Sequence, residues 1–208
     1  MKLKLAPLAV LLLLLVAFKS SEAFFSGRIT YKNSFTTLQG EDISAKLAPF
    51  LGAEQHYYIS GANYKTYNEK KQLIQLYTGT TGEYIFFKDG QVVQKIDATK
   101  PSAAEVKVTP LPQTATILGH ACKAVQIEAD GVTTVYYYAP DVKVKAEDYA
   151  NHAFGDWNTY LKATQGGLML KYVTTNPKVG YVMMGEATAI QPLKMSAAEF
   201  SQASVERQ

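Results

Sequence analysis

The residues best suited to nucleophilic chemistry are Cys122 and His120, since a cysteine and a histidine can form a thiolate–imidazolium pair. Such a pair needs hydrogen-bond contact between the two side chains. In an extended strand, residues two positions apart point the same way and lie about 6–7 Å from each other. This spacing therefore favours a turn histidine beside a buried cysteine. Cys122 is the only cysteine, which excludes an internal disulfide and a cysteine-cluster metal site and leaves a bridge between two chains as the alternative to burial.

The other titratable residues do not form a catalytic motif. His56 stands beside two tyrosines and is interpreted as part of a strand face, and His152 as a solvated or core-edge residue of a helical segment. Glu41-Asp42 and Glu147-Asp148 fall at the starts of predicted helices, where carboxylates interact favourably with the helix dipole. The sequence contains no His-x-x-x-His, Gly-x-Ser-x-Gly or phosphate-loop pattern. We therefore expect a protein that is not an enzyme and needs no cofactor or metal, with an unrecognised hydrolase as a minor alternative.

Aromatic residues are the most prominent chemical feature, with 14 Tyr, nine Phe and one Trp. Many of them recur with strand spacing, which is typical of a pleated, half-buried surface. They either pack a sheet against helices or line a cleft, where the apolar ring and polar tip of tyrosine suit an amphiphilic ligand. The residues predicted to bind a ligand in such a cleft are Tyr57, Tyr84, Phe86, Tyr136, Tyr138, Leu170, Tyr172 and Met183.

These aromatic residues belong to short segments with strand periodicity. Asp89-Gly90 and Asp130-Gly131 predict two-residue hairpin turns, because a type I′ turn needs positive φ at both central positions. Pro110 and Pro112 are expected to interrupt a strand that begins at Glu105. The predicted order is a meander of antiparallel strands without βαβ alternation. Strands are predicted over 28–32, 55–60, 63–68, 71–78, 83–88, 91–97, 113–118, 122–129, 132–139, 168–175 and 179–191.

Two stretches change to helical periodicity. The first is predicted over 42–51, with Asp42 as its N-cap and Pro49 near its end. The second spans 145–164 and is broken near Gly155-Asp156. A short helical turn that starts at Ser196 carries Phe200 into the core. The predicted fold class is therefore α+β, a single domain in which one antiparallel sheet packs on two or three helices.

Two predicted strands, 83–88 and 132–138, are apolar on both faces. A strand with one solvent-exposed face would alternate between apolar and polar residues. Either both faces of these strands are covered, or one of them lines an apolar cavity.

Four short motifs in a fixed order carry a family resemblance. Residues Phe25–Tyr31 read Phe-x-Gly-x-Ile-x-Tyr, and Ile117–Lys123 read Ile-x-Gly-x-x-Cys-Lys. A Gly-Gly-Leu strand starts at Gly166, and Ser196–Phe200 form a small turn that delivers a phenylalanine. In this order the chain resembles the lipoprotein-carrier superfamily, the LolA-like fold, and more closely its small secreted bacterial relatives of unknown function. The resemblance implies a curved antiparallel half-barrel wrapped over helices, with an apolar concave face. No functional residue of the carrier itself maps onto this sequence.

The first 23 residues have the layout of a secretory signal peptide. Lys2 and Lys4 precede an apolar run, and the small residues Ser21 and Ala23 stand at the −3 and −1 positions of a cleavage site. We expect cleavage after Ala23, a periplasmic or secreted location and no transmembrane segment in the mature chain. The predicted organisation is a signal peptide over 1–23, a LolA-like domain over 24–200 and a flexible tail over 201–208.

The functional prediction follows from these features. A formal charge of +3 gives no broad field for binding nucleic acid. We expect a secreted or periplasmic non-enzymatic protein that binds or carries an apolar or amphiphilic, lipid-like ligand in a cleft between the sheet and the helices over 42–51 and 146–163. The alternative is a cell-envelope interaction or structural module whose partner is another protein.

Overall fold

A single antiparallel sheet of 11 strands dominates residues 24–205, the part of the chain that the computed structural model describes. The predicted signal peptide, residues 1–23, lies outside the described residues. None of the described helices is long and apolar enough to cross a membrane. The strands are β1 (Gly27–Thr37), β2 (Glu54–Ser60), β3 (Asn63–Asn68), β4 (Leu73–Thr78), β5 (Glu83–Lys88), β6 (Gln91–Asp97), β7 (Val106–Ile117), β8 (His120–Ala129), β9 (Val132–Lys143), β10 (Gly167–Asn176) and β11 (Tyr181–Pro192). The helices are α1 (Ser44–Leu51), α2 (Trp157–Thr164) and α3 (Gln202–Val205), with 3-10 turns at Ala146–Tyr149, Phe154–Asp156 and Ala197–Phe200.

The sheet consists of two meanders that meet in its middle. The strand order is β6-β5-β4-β3-β2-β1-β11-β10-β9-β8-β7, so only β1 and β11 pair across a long stretch of sequence. The two Asp-Gly turns have the predicted geometry: φ is 51° at Asp89 and 76° at Gly90, and 50° at Asp130 and 79° at Gly131. The predicted antiparallel meander is therefore confirmed, and the sheet is open, with β6 and β7 at its two edges.

The predicted interruption at Pro110 and Pro112 is wrong. Strand β7 continues from Val106 to Ile117, and it pairs with β8 up to Leu111 and again from Thr114. It tolerates two prolines because it is an edge strand, whose outer side needs no amide donors, and because its register shifts between Leu111 and Thr114.

The helical content is smaller than predicted, so the domain is mostly sheet. The stretch expected to be one broken helix over 145–164 forms two 3-10 turns and the eight-residue helix α2. Gly155 (φ 64°) and Asp156 (φ 58°) adopt left-handed backbone conformations, which interrupt the helical hydrogen bonds. Helix α1 has no buried residue, and the Asp42 carboxylate accepts a hydrogen bond from the Ser44 amide at 2.8 Å just before it.

Alternation along the strands divides the side chains between two faces. The inner face packs against residues 146–164 and holds the larger apolar core, which includes Ile29 and Tyr31 of β1. The outer face carries a smaller core of Leu76, Ile85, Phe87 and Phe200.

Residues 193–205, here called the C-terminal strap, cover part of the outer face. The strap contains the predicted turn after Ser196, whose side chain and that of Glu199 form a capping box. The Phe200 side chain of the strap is completely buried against the outer face. The sheet holds the strap through hydrogen bonds from Ser26, Ser60, Lys65, Thr78 and Lys95.

Candidate ligand-binding groove and the aromatic core

The residues predicted to line a cleft lie on the inner face or against its core. Tyr57, Tyr84 and Leu170 are buried members of the inner core. Met183 of β11 lies opposite Phe35 of β1 and is partly buried. The remaining four are partly buried and pack against the same core: Phe86, Tyr136, Tyr138 and Tyr172.

Aromatic rings of the inner face form a continuous cluster around Trp157 of α2. The Trp157 ring centroid lies 6.0 Å from that of Tyr64 on β3 and 5.3 Å from that of Tyr160 on α2. Tyr160 in turn lies 4.7 Å from Tyr136 on β9. These rings therefore pack together in the space between the sheet and α2, where a cleft was predicted.

A buried histidine lies within this cluster. His152 is 1% exposed, its Nε2 shares a 2.7 Å hydrogen bond with the Tyr64 hydroxyl, and its ring centroid lies 4.0 Å from that of Tyr77. Burial disfavours the charged imidazolium and lowers the pKa of His152 to about 4. The imidazole is therefore neutral at physiological pH and acts as a packed aromatic group.

The outer face contains a groove of about 990 Å³ between the sheet and the C-terminal strap. Strands β1, β2 and β3 supply Arg28, Tyr58 and Lys65, which lie side by side because Arg28 pairs with Tyr58 and Tyr58 with Lys65 in the sheet register. Their sequence neighbours on the same strands point inward, so alternation separates this polar row from the aromatic core. The other lining residues include Tyr67, Lys71, Leu73, Phe87, Asp89, Lys194, Met195 and Glu199.

Lys65 is an unusually buried cation. Its residue is 5% exposed, and its amine donates a 3.0 Å hydrogen bond to the Glu199 carbonyl oxygen. The amine also lies 5.5 Å from the Phe200 ring centroid and 5.6 Å from that of Tyr67. Desolvation lowers the pKa of Lys65, an effect that the Glu199 charge partly opposes.

Arg28 is incompletely hydrogen-bonded. Its Nη2 donates to the Gln191 side-chain oxygen at 2.9 Å, and its Nη1 donates to the Tyr58 hydroxyl at 3.4 Å. The Nε atom is buried and has no partner among the described residues. Among residues 24–205, no carboxylate oxygen lies within 4 Å of a side-chain nitrogen of Arg28 or Lys65.

The groove lining is therefore both apolar and positively charged. Four cationic residues face two acidic ones, Asp89 and Glu199. The Glu199 carboxylate accepts a 2.8 Å hydrogen bond from the Ser196 amide, which lowers the pKa of Glu199. Tyrosine, leucine, phenylalanine and methionine side chains complete the lining.

The sequence pattern alone does not point to this groove. Arg28, Lys65 and the strap come together only through strand register and the return of the C-terminal segment. The available signal is a lysine in the middle of β3, a short strand that is rich in tyrosine and whose first four residues are all buried.

A second groove of about 700 Å³ lies beside α2. Its lining includes Phe24, Lys143, Asn158, Lys162 and Gln165. None of the eight residues predicted for a cleft lines either groove.

The Cys122 and His120 side chains have separate partners. Cys122 is 1% exposed, and its thiol donates to the His120 carbonyl oxygen at 3.6 Å. Burial raises the pKa of Cys122, which is the opposite of what an activated nucleophile needs. The His120 ring instead pairs with Asp141 at 2.7 Å. Among residues 24–205, no group of three or more metal-ligating side chains comes together.

Comparison with known proteins gives a likeness of fold. No protein-family model and no curated protein matches the chain. PNGF-II matches with a TM-score of 0.50 and 18% identity over 84% of this chain and 29% of its own; a second crystal form gives 0.49. The chain thus spans less than a third of these proteins.

Two further solved structures match with lower TM-scores. A LolA superfamily protein from Nitrosomonas europaea matches with a TM-score of 0.38 and 8% identity, covering 86% of this chain and 91% of its own. A putative outer membrane lipoprotein-sorting protein domain from Vibrio parahaemolyticus matches with a TM-score of 0.42 and 8% identity, covering 89% and 93%. The superfamily named in the first of these two matches is the one that the four sequence motifs resemble.

Proposed function

We propose that this chain is a non-enzymatic protein that binds an apolar or amphiphilic molecule, and that the molecule occupies the outer groove. The observation that carries the proposal is the groove itself, whose volume of about 990 Å³ suits a small molecule. Its lining offers apolar surface for a hydrocarbon or ring and polar groups that would fix the orientation of a ligand.

The outer groove is favoured over the predicted cleft between sheet and helices. A ligand on the inner face would have to separate rings such as Tyr64 and Trp157, which lie 6.0 Å apart, centroid to centroid. Separating packed aromatic side chains forfeits their contacts. The outer groove is open beside the strap and requires no such rearrangement.

The half-barrel implied by the resemblance belongs to the same proposal. The contacts from Tyr64 on β3 through Trp157 and Tyr160 to Tyr136 on β9 support a curved sheet. Strands β3 and β9 are five positions apart in the strand order, which is roughly 24 Å across a flat sheet. Two residues of one short helix reach both strands more readily if the sheet bends around it.

Export to the periplasm or beyond is also part of the proposal, and it depends on residues 1–23. N-terminal sequencing of the protein purified from its own cells tests it. We expect the mature chain to begin at Phe24. A mature chain that keeps residues 1–23 would contradict the proposal.

The binding function is tested with an uncharged fluorescent probe, N-phenyl-1-naphthylamine, together with lipid extraction of the purified protein. We expect saturable probe binding that Leu73→Glu in the groove weakens at least about 10-fold, because a carboxylate would be desolvated there. Leu118→Glu is the matched control, since Leu118 is 46% exposed in a hairpin turn away from the groove. Circular dichroism verifies that both variants fold. Absence of saturable probe binding, together with the absence of any extracted apolar compound, would remove the proposal.

A second candidate function is interaction with a cell-envelope protein. Helix α1 exposes Phe50 to 84% and the next residue, Leu51, to 43%. Adjacent exposed apolar residues of this kind are typical of interaction surfaces. If pull-down from envelope extracts yields one dominant protein and Phe50→Ser abolishes its capture, this function is favoured over ligand binding.

A further inference from the structure

We infer that the ligand of the outer groove carries an anionic headgroup, a carboxylate or a phosphate ester, held between Arg28 and Lys65. The inference rests on the proposed function, since it takes the groove as the binding site and adds the charge class of the ligand.

The two cations lie close to the same tyrosine ring. The Arg28 guanidinium carbon lies 5.9 Å from the Tyr58 ring centroid, and the Lys65 amine lies 6.0 Å from the same centroid. The two positive charges therefore lie within about 12 Å of each other, and because Lys65 is buried and Arg28 partly buried, solvent screens them less than it screens charges on an exposed surface. An anion between them would offset their mutual repulsion.

Neither cation has a counterion within the part of the chain that the structure describes. Some lysines elsewhere on the sheet do pair with carboxylates, such as Lys171 with Glu186 at 2.7 Å and Lys95 with Glu83 at 3.2 Å. Among the described residues, Arg28 and Lys65 have no carboxylate within 4 Å. Buried charges are normally paired, so the buried Lys65 amine and the partly buried Arg28 guanidinium lack the partner that an anionic ligand would provide.

Both cations have unused hydrogen-bonding capacity. An ammonium has three donors and a guanidinium five. Protein acceptors within hydrogen-bond distance are the Glu199 carbonyl oxygen for Lys65, and Gln191 and the Tyr58 hydroxyl for Arg28. Carboxylate and phosphate oxygens are the acceptors that such donors bind most strongly. The apolar part of the ligand would then lie over Tyr67, Leu73 and Met195, which line the same groove.

The inference is tested with four ligands that share a ten-carbon chain and differ in headgroup: decanoate, decyl phosphate, decanol and decyltrimethylammonium. Isothermal titration calorimetry on the wild-type protein measures each affinity. We expect decanoate and decyl phosphate to bind at least about 10-fold more tightly than decanol, and the cation to bind most weakly. The ratio between decanoate and decyl phosphate identifies which anion the site prefers.

Two substitutions locate the headgroup. Lys65→Met keeps the length of the side chain and removes its charge, so decanoate affinity should fall about 10-fold while decanol affinity stays the same. Lys88→Met is the matched control, because Lys88 is exposed at the end of β5 and does not line the groove. We expect it to change neither affinity.

The outcomes separate the two proposals. If decanol binds as tightly as decanoate, the anionic headgroup is ruled out while the groove remains a binding site. A decanoate affinity that Lys65→Met leaves unchanged also overturns the inference. If none of the four ligands binds, both the proposed function and the inference fail.

Discussion

Mild acid should destabilise this protein through one buried imidazole. His152 has a folded-state pKa of about 4, against 6.5 for an ordinary histidine, because burial penalises its charged form. Between these two values the unfolded chain binds a proton that the folded chain does not. The contribution of neutral His152 to the free energy of unfolding is therefore fully present above pH 6.5. It decreases as the pH falls towards 4 and is absent below that value.

The size of the loss follows from the two pKa values. A difference of about 2.5 between the unfolded and folded states corresponds to about 3 kcal/mol of unfolding free energy. For a domain of this length, this loss lowers the melting temperature by roughly 6–12 °C. His152 is 1% exposed, so solvent screening does little to reduce this effect.

Urea unfolding at pH values from 7 to 4 measures the loss. His152→Gln removes the imidazole, and its unfolding free energy should vary less over this range by about 3 kcal/mol, even if its stability at pH 7 is lower. His120→Gln is the control, since it removes a partly exposed imidazole outside the aromatic cluster. If His152→Gln keeps the acid sensitivity of the wild type, the reasoning about burial is wrong.

Three further predictions concern the inner core. Leu161→Ala should cost about 2–5 kcal/mol in urea unfolding, because Leu161 is completely buried beneath the sheet; a cost below 1 kcal/mol would mean that the site is loosely packed. Tyr149→Phe should cost about 1–2 kcal/mol, since it leaves the Gly61 carbonyl oxygen without the hydroxyl that donates to it at 2.8 Å; unchanged thermal stability would contradict this. The Cys122 thiol should react with Ellman's reagent only after unfolding, and rapid labelling of the native protein would show that the residue is accessible.

Local patterns predicted most of the strands. The predicted bounds of β3, β5 and β6 coincide with those of the structure. Turn residues bound these strands, and Asp89-Gly90 fixes the register of its hairpin through residues that are adjacent in sequence. Information of this kind is local, and a single sequence contains it.

Features that depend on distant residues were not predictable in this way. The pairing of β1 with β11 brings Thr37 opposite Tyr181, and no local pattern specifies that choice. The same is true of the outer groove, where Arg28 and Lys65 meet through two strand registers and the strap arrives from the end of the chain. The strand predicted over 113–118 ends one residue earlier, at Ile117, because Leu118 adopts a φ of 51° in the turn, a conformation that leucine rarely has.

The pairing of β1 with β11 joins two halves of the sheet, here called wings: β1 to β6 and β7 to β11. Within each wing, strands that follow one another in sequence pair with each other, and most of them are joined by hairpins, which form quickly. Joining the wings closes a loop of roughly 140 residues, which is a slow, non-local event. Until then, β1 and β11 are open edges, each able to accept the matching strand of another copy. A newly synthesised chain is therefore most prone to domain swapping at the centre of the sheet, where β1 of one copy can pair with β11 of another.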